Sequence, residues 1–279
     1  MFSRTYKPSA ALAPFVRDFY VFQAPLPDDH VIEDFLLAET AFVRVLIKGD
    51  WRGGDAPEEL SQAGYSSFFG ANSRPFRVRL TGSLDNVGIA FRPGGWRALF
   101  DQSHSKFADL LLPLRDLWGP LADQLHDELA QADTDEEKIA IVERILTQRL
   151  DKVGTYEVDE AMAIFERFSR QDSTIRIDEA ADRIGLSVRQ MERRVKYHFG
   201  FTPKGVLRRS RFLDMAAAIR GFSSPSEQLL AELRYSDDSH LNKEFRRFAD
   251  MTPGQFKDAN TPLQTAGLLF REELSLIHI

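Results

Sequence analysis

The chain has 279 residues, about twice the usual size of one domain, so its length favours two domains. Hydrophobic residues make up 43% and charged residues 28%, as in soluble globular proteins, and no apolar run reaches the roughly eighteen residues of a membrane span. The absence of cysteine excludes disulfides, thiolate metal sites and cysteine nucleophiles. These features predict a cytoplasmic protein.

Charge is distributed unevenly along the chain. The net charge is −6, yet residues 171–260 contain 16 Lys and Arg against 13 Asp and Glu, which leaves −9 for the remainder. From Arg183 to Arg211, nine basic residues accompany a single acid, Glu192. Because local rather than total charge determines a nucleic-acid footprint, this segment is the candidate for binding a polyanion.

Roughly the first hundred residues alternate short apolar runs with turn residues, which predicts β-strands. The predicted strands are 15–22, 31–37, 41–47, 66–69, 76–80 and 86–91, with breaks at Pro25, Pro27, Gly53-Gly54, Gly70 and Gly82. This spacing indicates a β-sandwich or partial barrel. Seven aromatic residues in this half either line a ligand cavity or form ordinary core: Phe19, Tyr20, Phe22, Phe35, Phe42, Phe91 and Trp96.

After Trp96 the apolar period lengthens to that of a helix. The recurring residues are Leu121, Leu125 and Leu129, then Ile141, Ile145 and Leu150. We expect two helices here that pack beneath the barrel or pair with a second copy of the chain.

Two segments about fifty residues apart form a degenerate repeat. Residues 183–203 (RIGLSVRQMERRVKYHFGFTP) align with residues 233–253 (LRYSDDSHLNKEFRRFADMTP), the second turn being one residue longer. In the first copy, Gly185 is suited to end a short helix in the left-handed conformation, and Ser187 is suited to cap the next helix. The pattern predicts a helix-turn-helix.

The second helix of the first copy has two unlike faces. Met191 and Val195 lie four residues apart and are expected in the core. The opposite face carries Arg189, Gln190, Arg193 and Lys196. Arginine, lysine and glutamine suit base edges and phosphates of DNA. Thr202 and Pro203 then predict the start of a connecting helix of roughly 17 residues, about 26 Å long.

The second copy has the same arrangement of core, cap and outward residues. Its core residues are predicted to be Leu229, Leu230, Leu233, Leu241, Phe245 and Phe248. Asp237 or Asp238 is expected to cap its second helix, and Thr252-Pro253 to start a terminal turn or helix. The outward residues of the second helix are Ser239, Asn242, Lys243 and Arg246.

The runs SVRQMERRVKYHFGFTP and YSDDSHLNKEFRRFADMTP resemble the two signatures of the AraC/XylS family of bacterial transcription regulators, over residues 175–257. The resemblance implies duplex DNA as partner. By position, it places base contacts on Arg189, Gln190, Glu192, Arg193, Ser239, Asn242 and Lys243. It places phosphate contacts on Lys196, Lys204, Arg208 and Arg246. Further candidate partners are RNA polymerase and a second copy; no cofactor, metal or membrane partner is predicted.

The second copy departs from the family pattern. Arg234 and Asp250 stand where glycines are usual, and Leu230 replaces an alanine. Asp237 and Asp238 place two carboxylates near the expected DNA phosphates. A non-glycine residue in a left-handed turn costs about 1 kcal/mol, although Asp tolerates that conformation better. The second unit is therefore expected to bind weakly or without base preference.

The amino-terminal half resembles, less specifically, the β-rich sensor domains fused to such regulators. The resemblance lies in YKPSAALAPFVRDFYVF (residues 6–22) and FRPGGWRALF (residues 91–100). It implies binding of a small-molecule effector or self-association. The Arg92-Pro93-Gly94-Gly95 run either presents amides to an anion or forms a strand-to-helix turn.

We therefore predict an α+β protein in four parts: a β-rich sensor-like domain at 1–112, a helical linker or dimerisation segment at 113–168, a DNA-binding domain at 169–260, and a tail at 261–279. Residues 274–279 (LSLIHI) are either native or an artefact of a translated adapter sequence, and they are left out of the predicted fold.

No catalytic arrangement is evident in the sequence. The six histidines lack metal-ligand spacing, and Asp238, Ser239 and His240 are adjacent residues of one helical turn that point apart. We expect His198 and His240 to pack beside helices. The protein is therefore predicted not to be an enzyme. The alternative to a regulator is an adaptor whose helix-turn-helix scaffold has lost base reading.

Overall fold

The computed structural model describes residues 2–37, 39–54, 64–154, 157–223, 238–265, 267–268 and 271. Seven strands form one antiparallel sheet: Phe2–Tyr6 (β1), Val16–Ala24 (β2), Val31–Leu36 (β3), Phe42–Gly54 (β4), Ser66–Phe69 (β5), Phe76–Phe91 (β6) and Leu111–Pro113 (β7). Their order is β1-β2-β6-β4-β5-β7, with β3 also paired to β6.

Strand β6 is the centre of the sheet. Its second half pairs with β2 and its first half with β3, while β4 runs along its other edge. The predicted break at Gly82 is wrong, because Gly82 adopts a φ of +72° and the strand continues past it. Register shifts in β4 around Lys48 occur beside this point, and such bulges bend a sheet. The result is a curled sheet.

One face of the sheet is covered by four helices: Trp96–Leu99 (α1), Arg115–Trp118 (α2), Pro120–Leu129 (α3) and Asp135–Val153 (α4). Leu125 of α3 and Ile145 of α4 are fully buried in one core with Phe19, Phe91 and Trp96. The prediction that two helices pack beneath the sheet is confirmed. The Arg92–Gly95 run forms the expected turn, a short 3₁₀ helix at Pro93–Gly95 that leads into α1.

The carboxyl-terminal half is helical: Glu160–Gln171 (α5), Ile177–Ile184 (α6), Val188–Phe199 (α7), Pro203–Ile219 (α8), Asp238–Ala249 (α9) and Pro253–Asp258 (α10), with a further helical turn at 262–265. Met162 and Phe165 of α5 lie in one core with Met191, Val195 and Phe199 of α7. The α5 helix therefore supports the first helix-turn-helix. A second core joins α8, α9 and α10 through Phe212, Phe245, Phe248 and Phe256.

A buried ionic network joins the two halves. Glu39, between β3 and β4, accepts hydrogen bonds from Arg170 of α5 at 2.7 Å and from Arg271. Arg271 also binds Asp214 of α8 at 3.0 Å. Burial opposes ionisation of Glu39, but the charges of Arg271 and Arg170 outweigh it and hold the pKa of this carboxyl well below its usual range.

Several sequence predictions concern residues outside the described ranges. These are the core positions Leu229, Leu230 and Leu233, the turn residue Arg234, the cap Asp237 and the tail 274–279. The division of the chain at 112, 168 and 260 stays a prediction.

Candidate nucleic-acid interface and interdomain cavity

The first turn is built as the sequence predicts. Helix α6 ends at Gly185, which adopts the left-handed conformation with φ 76° and ψ 29°. Ser187 caps α7 by accepting a hydrogen bond from the amide of Gln190, and the Gln190 side chain accepts one from the amide of Ser187 at 2.9 Å. This capping box fixes where α7 begins. It also engages the side-chain oxygen of Gln190 and leaves its NH₂ group to act as a donor.

Helix α7 presents a polar face to solvent. Met191 and Val195 are fully buried, as predicted. The exposed residues are Arg189, Gln190, Glu192, Arg193 and Lys196. Arg189, Arg193 and Lys196 form no ion pair within the described chain, so their charges are available to an anionic partner.

Five of the nine basic residues between Arg183 and Arg211 are paired with carboxylates or at least partly buried. Arg183 pairs with Glu179, and Arg194 pairs with Asp159 at 2.7 Å. Arg209 is 2% exposed and donates to the carbonyl of Asn72 at 3.1 Å, so it cannot reach DNA phosphate. Arg208 binds a carboxylate, and Arg211 is half-buried. The sequence overstated the free charge of this segment.

Polar contacts of His198 hold the buried face of α7 against the β-rich half. The buried His198 ring donates from Nδ1 to the carbonyl of Pro93 at 2.8 Å, and its Nε2 lies 3.3 Å from Asp159. Burial opposes ionisation of Asp159, but hydrogen bonds from His198 and Arg194 prevail and hold its pKa at about 2. The expectation that His198 packs beside helices is confirmed, whereas His240 is exposed.

The second unit offers less free charge. Ser239, Lys243 and Arg246 on α9 are exposed, whereas Asn242 is half-buried. Arg208, for which the sequence predicted a phosphate contact, binds the fully buried Glu244 of α9 through two hydrogen bonds, one of them 2.6 Å long. This guanidinium therefore serves to join α8 and α9.

Asp250 ends α9 in the left-handed conformation, with φ 59°. The position that is glycine in the family thus keeps a glycine-like backbone. The Asp250 carboxylate also lies 2.5 Å from Arg77 of β6.

A cavity of about 170 Å³ lies between the other face of the sheet and the carboxyl-terminal helices. Its walls include Tyr20, Phe22 and Phe42 from the sheet, Leu213 from α8 and Leu263 from the last helical turn. Of the seven aromatic residues that the sequence analysis singled out, Tyr20, Phe22 and Phe42 line the cavity. Phe19, Phe91 and Trp96 lie in the core shared with α3 and α4, and Phe35 packs in the core that contains Phe212.

The helix-turn-helix of α6 and α7, with the helices α9 and α10 of a second unit beyond α8, is typical of DNA-binding regulators. A helix-turn-helix domain model (HTH_18) matches residues 180–259, and the model of a domain of unknown function (DUF6597) matches residues 4–113. The two family models support an AraC/XylS regulator, and the chain is a DNA-binding transcription regulator. No curated protein matches the chain significantly.

Solved structures with a similar arrangement include ToxT from Vibrio cholerae, at 11% identity and a TM-score of 0.48, over 86% of this chain and 97% of that one. ToxT bound to an unsaturated fatty acid matches at 12% identity and a TM-score of 0.45, over 86% and 94%. The AraC-like transcriptional activator CuxR matches at 17% and 0.28, over 77% and 94%. These TM-scores lie below 0.5, so the fold assignment rests on the strands and helices described above.

Within the described residues, no helix is long and apolar enough to cross a membrane. The same residues contain no group of three or more histidine and carboxylate side chains arranged to hold a metal ion.

Proposed function

We propose that α7 reads DNA sequence in a major groove through Arg189, Gln190, Glu192 and Arg193. The observation that carries this proposal is the exposed, unpaired basic face of a helix whose start is fixed by a left-handed glycine and a capping box. Arginine forks recognise guanine O6 and N7. The exposed Lys196 and Lys204 are assigned to phosphates, which position the protein without specifying sequence.

We propose a lesser role for α9, through Ser239, Asn242 and Lys243 on bases and Arg246 on phosphate. Arg208 is left out of the interface because Glu244 occupies its guanidinium. Asn242 is half-buried, which limits its reach. The second unit therefore adds affinity more than specificity.

We further propose that a small molecule in the interdomain cavity modulates DNA binding. The cavity is bounded by the sheet and by α8, the helix that joins the two units. A ligand there contacts both halves, so its binding free energy depends on how they are arranged.

The first testable prediction compares Arg193→Ala with Lys204→Ala. Loss of Arg193 removes about 1 to 3 kcal/mol of discrimination at one or two base pairs, whereas loss of Lys204 weakens all sequences about equally. The measurement is selection from a randomised DNA library at one fixed salt concentration, with full-length protein. Both side chains are exposed, so neither change disturbs the core.

A salt titration separates this function from the adaptor alternative. The logarithm of the binding constant falls by about 0.9 per neutralised phosphate for each logarithmic unit of salt. A protein that binds DNA through the basic face of α7 shows this steep loss, and Lys204→Ala reduces the slope by about 1. A flat salt response, or an unchanged preferred sequence in Arg193→Ala, refutes the proposal for α7.

A further inference from the structure

The capping box at the start of α7 limits what Gln190 can recognise. Its side-chain oxygen accepts two hydrogen bonds from Ser187, one from the backbone amide at 2.9 Å and one from the hydroxyl at 2.9 Å. A backbone amide only donates, so these bonds fix which end of the carboxamide is engaged. The exposed Gln190 therefore offers a DNA base donors and no acceptor.

A donor without an acceptor excludes two of the four bases in the major groove. Glutamine recognises adenine in a bidentate manner, because N6 donates to the side-chain oxygen while N7 accepts from the NH₂ group. The oxygen of Gln190 is already occupied by Ser187, so the first of these bonds is not available. Cytosine presents only a donor, its N4 amino group. The bases that remain are guanine, with acceptors O6 and N7, and thymine, with acceptor O4.

Val188 adds an apolar group to the same end of α7. It occupies the first helical position, directly after the cap. Its side chain is 39% exposed, and the three other large apolar side chains exposed to this extent in the described chain lie in the β-rich half. The first turn of a recognition helix is the part that contacts base edges. Valine in a helix keeps one dominant rotamer, so it loses little side-chain entropy on contact.

An apolar side chain beside a fixed donor matches one base. Thymine carries a C5 methyl group next to its O4 acceptor, whereas guanine presents no apolar group in the major groove. The carboxamide of Gln190 is bound to Ser187, the residue directly before Val188. The donor and the apolar side chain therefore both belong to the first turn of α7.

We propose that the first turn of α7 selects thymine, with the NH₂ group of Gln190 donating to O4 and the Val188 side chain contacting the C5 methyl group. Val188 is then a specificity-determining residue, and Gln190 reads thymine rather than adenine. This inference rests on the proposed reading of DNA by α7 and names one base that this helix requires.

The test starts from the DNA site that the full-length protein selects from a randomised library. Each thymine of that site is replaced in turn by deoxyuridine, which keeps O4 and base pairing but lacks the methyl group. At one thymine this replacement is expected to weaken wild-type binding about fourfold, as for one buried methyl group. In Val188→Ala the same replacement is expected to have no effect. Val31→Ala, a β3 valine that is 40% exposed, is the matched control and keeps the difference.

Replacing the same thymine by 5-methylcytosine, paired with guanine, isolates the hydrogen bond. This base keeps the methyl group but presents a donor in place of O4. The wild type is expected to bind it about fivefold more weakly than thymine. Gln190→Glu is expected to reverse this preference, because glutamate accepts from N4. Glutamate also serves at this position of a capping box, so α7 is expected to begin at the same residue.

Four results overturn the inference. They are a selected site without thymine, equal binding of thymine and deoxyuridine at every position, a methyl effect that persists in Val188→Ala, and an unchanged preference in Gln190→Glu. Alanine has the higher helix propensity, so Val188→Ala is expected to fold. If the selected site depends on Arg193 but on no thymine methyl group, only this inference fails. If no site is selected, the proposed reading by α7 fails as well.

Discussion

At the scale of single residues, local backbone conformation and side-chain pairing decide what each group of the DNA-binding half can do. Gly185 sets the angle between α6 and α7 because its positive φ is accessible to glycine at little cost. Charge is equally local. Arg193 is exposed, whereas Arg208, fifteen positions further on, is bound to Glu244. One arginine is thus a candidate base contact, and the other joins two helices within the protein.

Gly185→Ala is expected to lower the free energy of unfolding by about 1 kcal/mol, since a Cβ there meets no atom within 4 Å and the cost is conformational alone. Gly205→Ala is the matched control. It lies in α8, where a Cβ would make ordinary contacts at 3.4 Å, and a gain of about 0.5 to 1 kcal/mol is expected. Chemical denaturation measures both. Equal effects of the two changes would contradict the role given to Gly185.

At the scale of elements, the last helical turn is held on the sheet by one carboxylate. Asp34 of β3 accepts hydrogen bonds from the amides of Leu263 at 2.7 Å and Gln264 at 3.3 Å. It therefore caps the turn at 262–265 from another part of the chain. Burial of this side chain raises the pKa of Asp34 to about 6.

This raised pKa predicts a pH dependence of stability. Between about pH 4 and pH 6 the folded protein holds a proton on Asp34 that the unfolded chain has lost, so this group makes stability fall as pH rises. The pKa difference corresponds to about 3 kcal/mol. Asp34→Asn removes this contribution, so the stability of the variant relative to wild type is expected to rise from pH 4 to pH 7.

Thermal unfolding at each pH, with chemical denaturation at selected points, provides the measurement. Glu33→Gln, an exposed neighbour on β3, is the control and is expected to show a constant difference from wild type. A constant difference for Asp34→Asn as well would show that Asp34 titrates normally.

At the scale of the whole molecule, the two halves share side chains rather than only a linker. Phe35 of β3 packs in the core with Phe212 of α8 and Phe245 of α9. Arg209 of α8 reaches the carbonyls of Asn72 and Glu39 in the β-rich half. Burial lowers the pKa of Arg209 to about 10 despite the nearby Glu39. Such contacts give the β-rich half a direct means of setting how the two units are oriented.

The role of α5 predicts where an isolated DNA-binding fragment must begin. A fragment of residues 174–257 omits Met162 and Phe165, both fully buried in the first unit. A fragment that starts at residue 157 and ends at the same point is expected to be more stable by several kcal/mol, since each large core side chain contributes about 2 to 5 kcal/mol. Circular dichroism during thermal unfolding compares the two. Equal stability would show that α5 belongs energetically to the β-rich half.

The sequence by itself determined the first helix-turn-helix and the helices α9 and α10, because its signals are local. Left-handed glycine, capping residues and four-residue apolar spacing act within one or two turns, and α8 has the 17 residues that were expected. The outward face of α7 followed from the same periodicity. The amino-terminal strands were largely found, yet β1 and β7 were missed, since β1 has no alternating apolar pattern and β7 has three residues.

Only the tertiary structure decided which charges are free and where a ligand fits. The partners of Arg194, Arg208 and Arg209 lie between 35 and 170 positions away in the chain, so no local sequence pattern predicts these pairs. The cavity combines side chains of the β-sheet with Leu213 of α8 and Leu263 of the last helical turn. Pairing over such distances depends on packing, which one-dimensional periodicity does not encode.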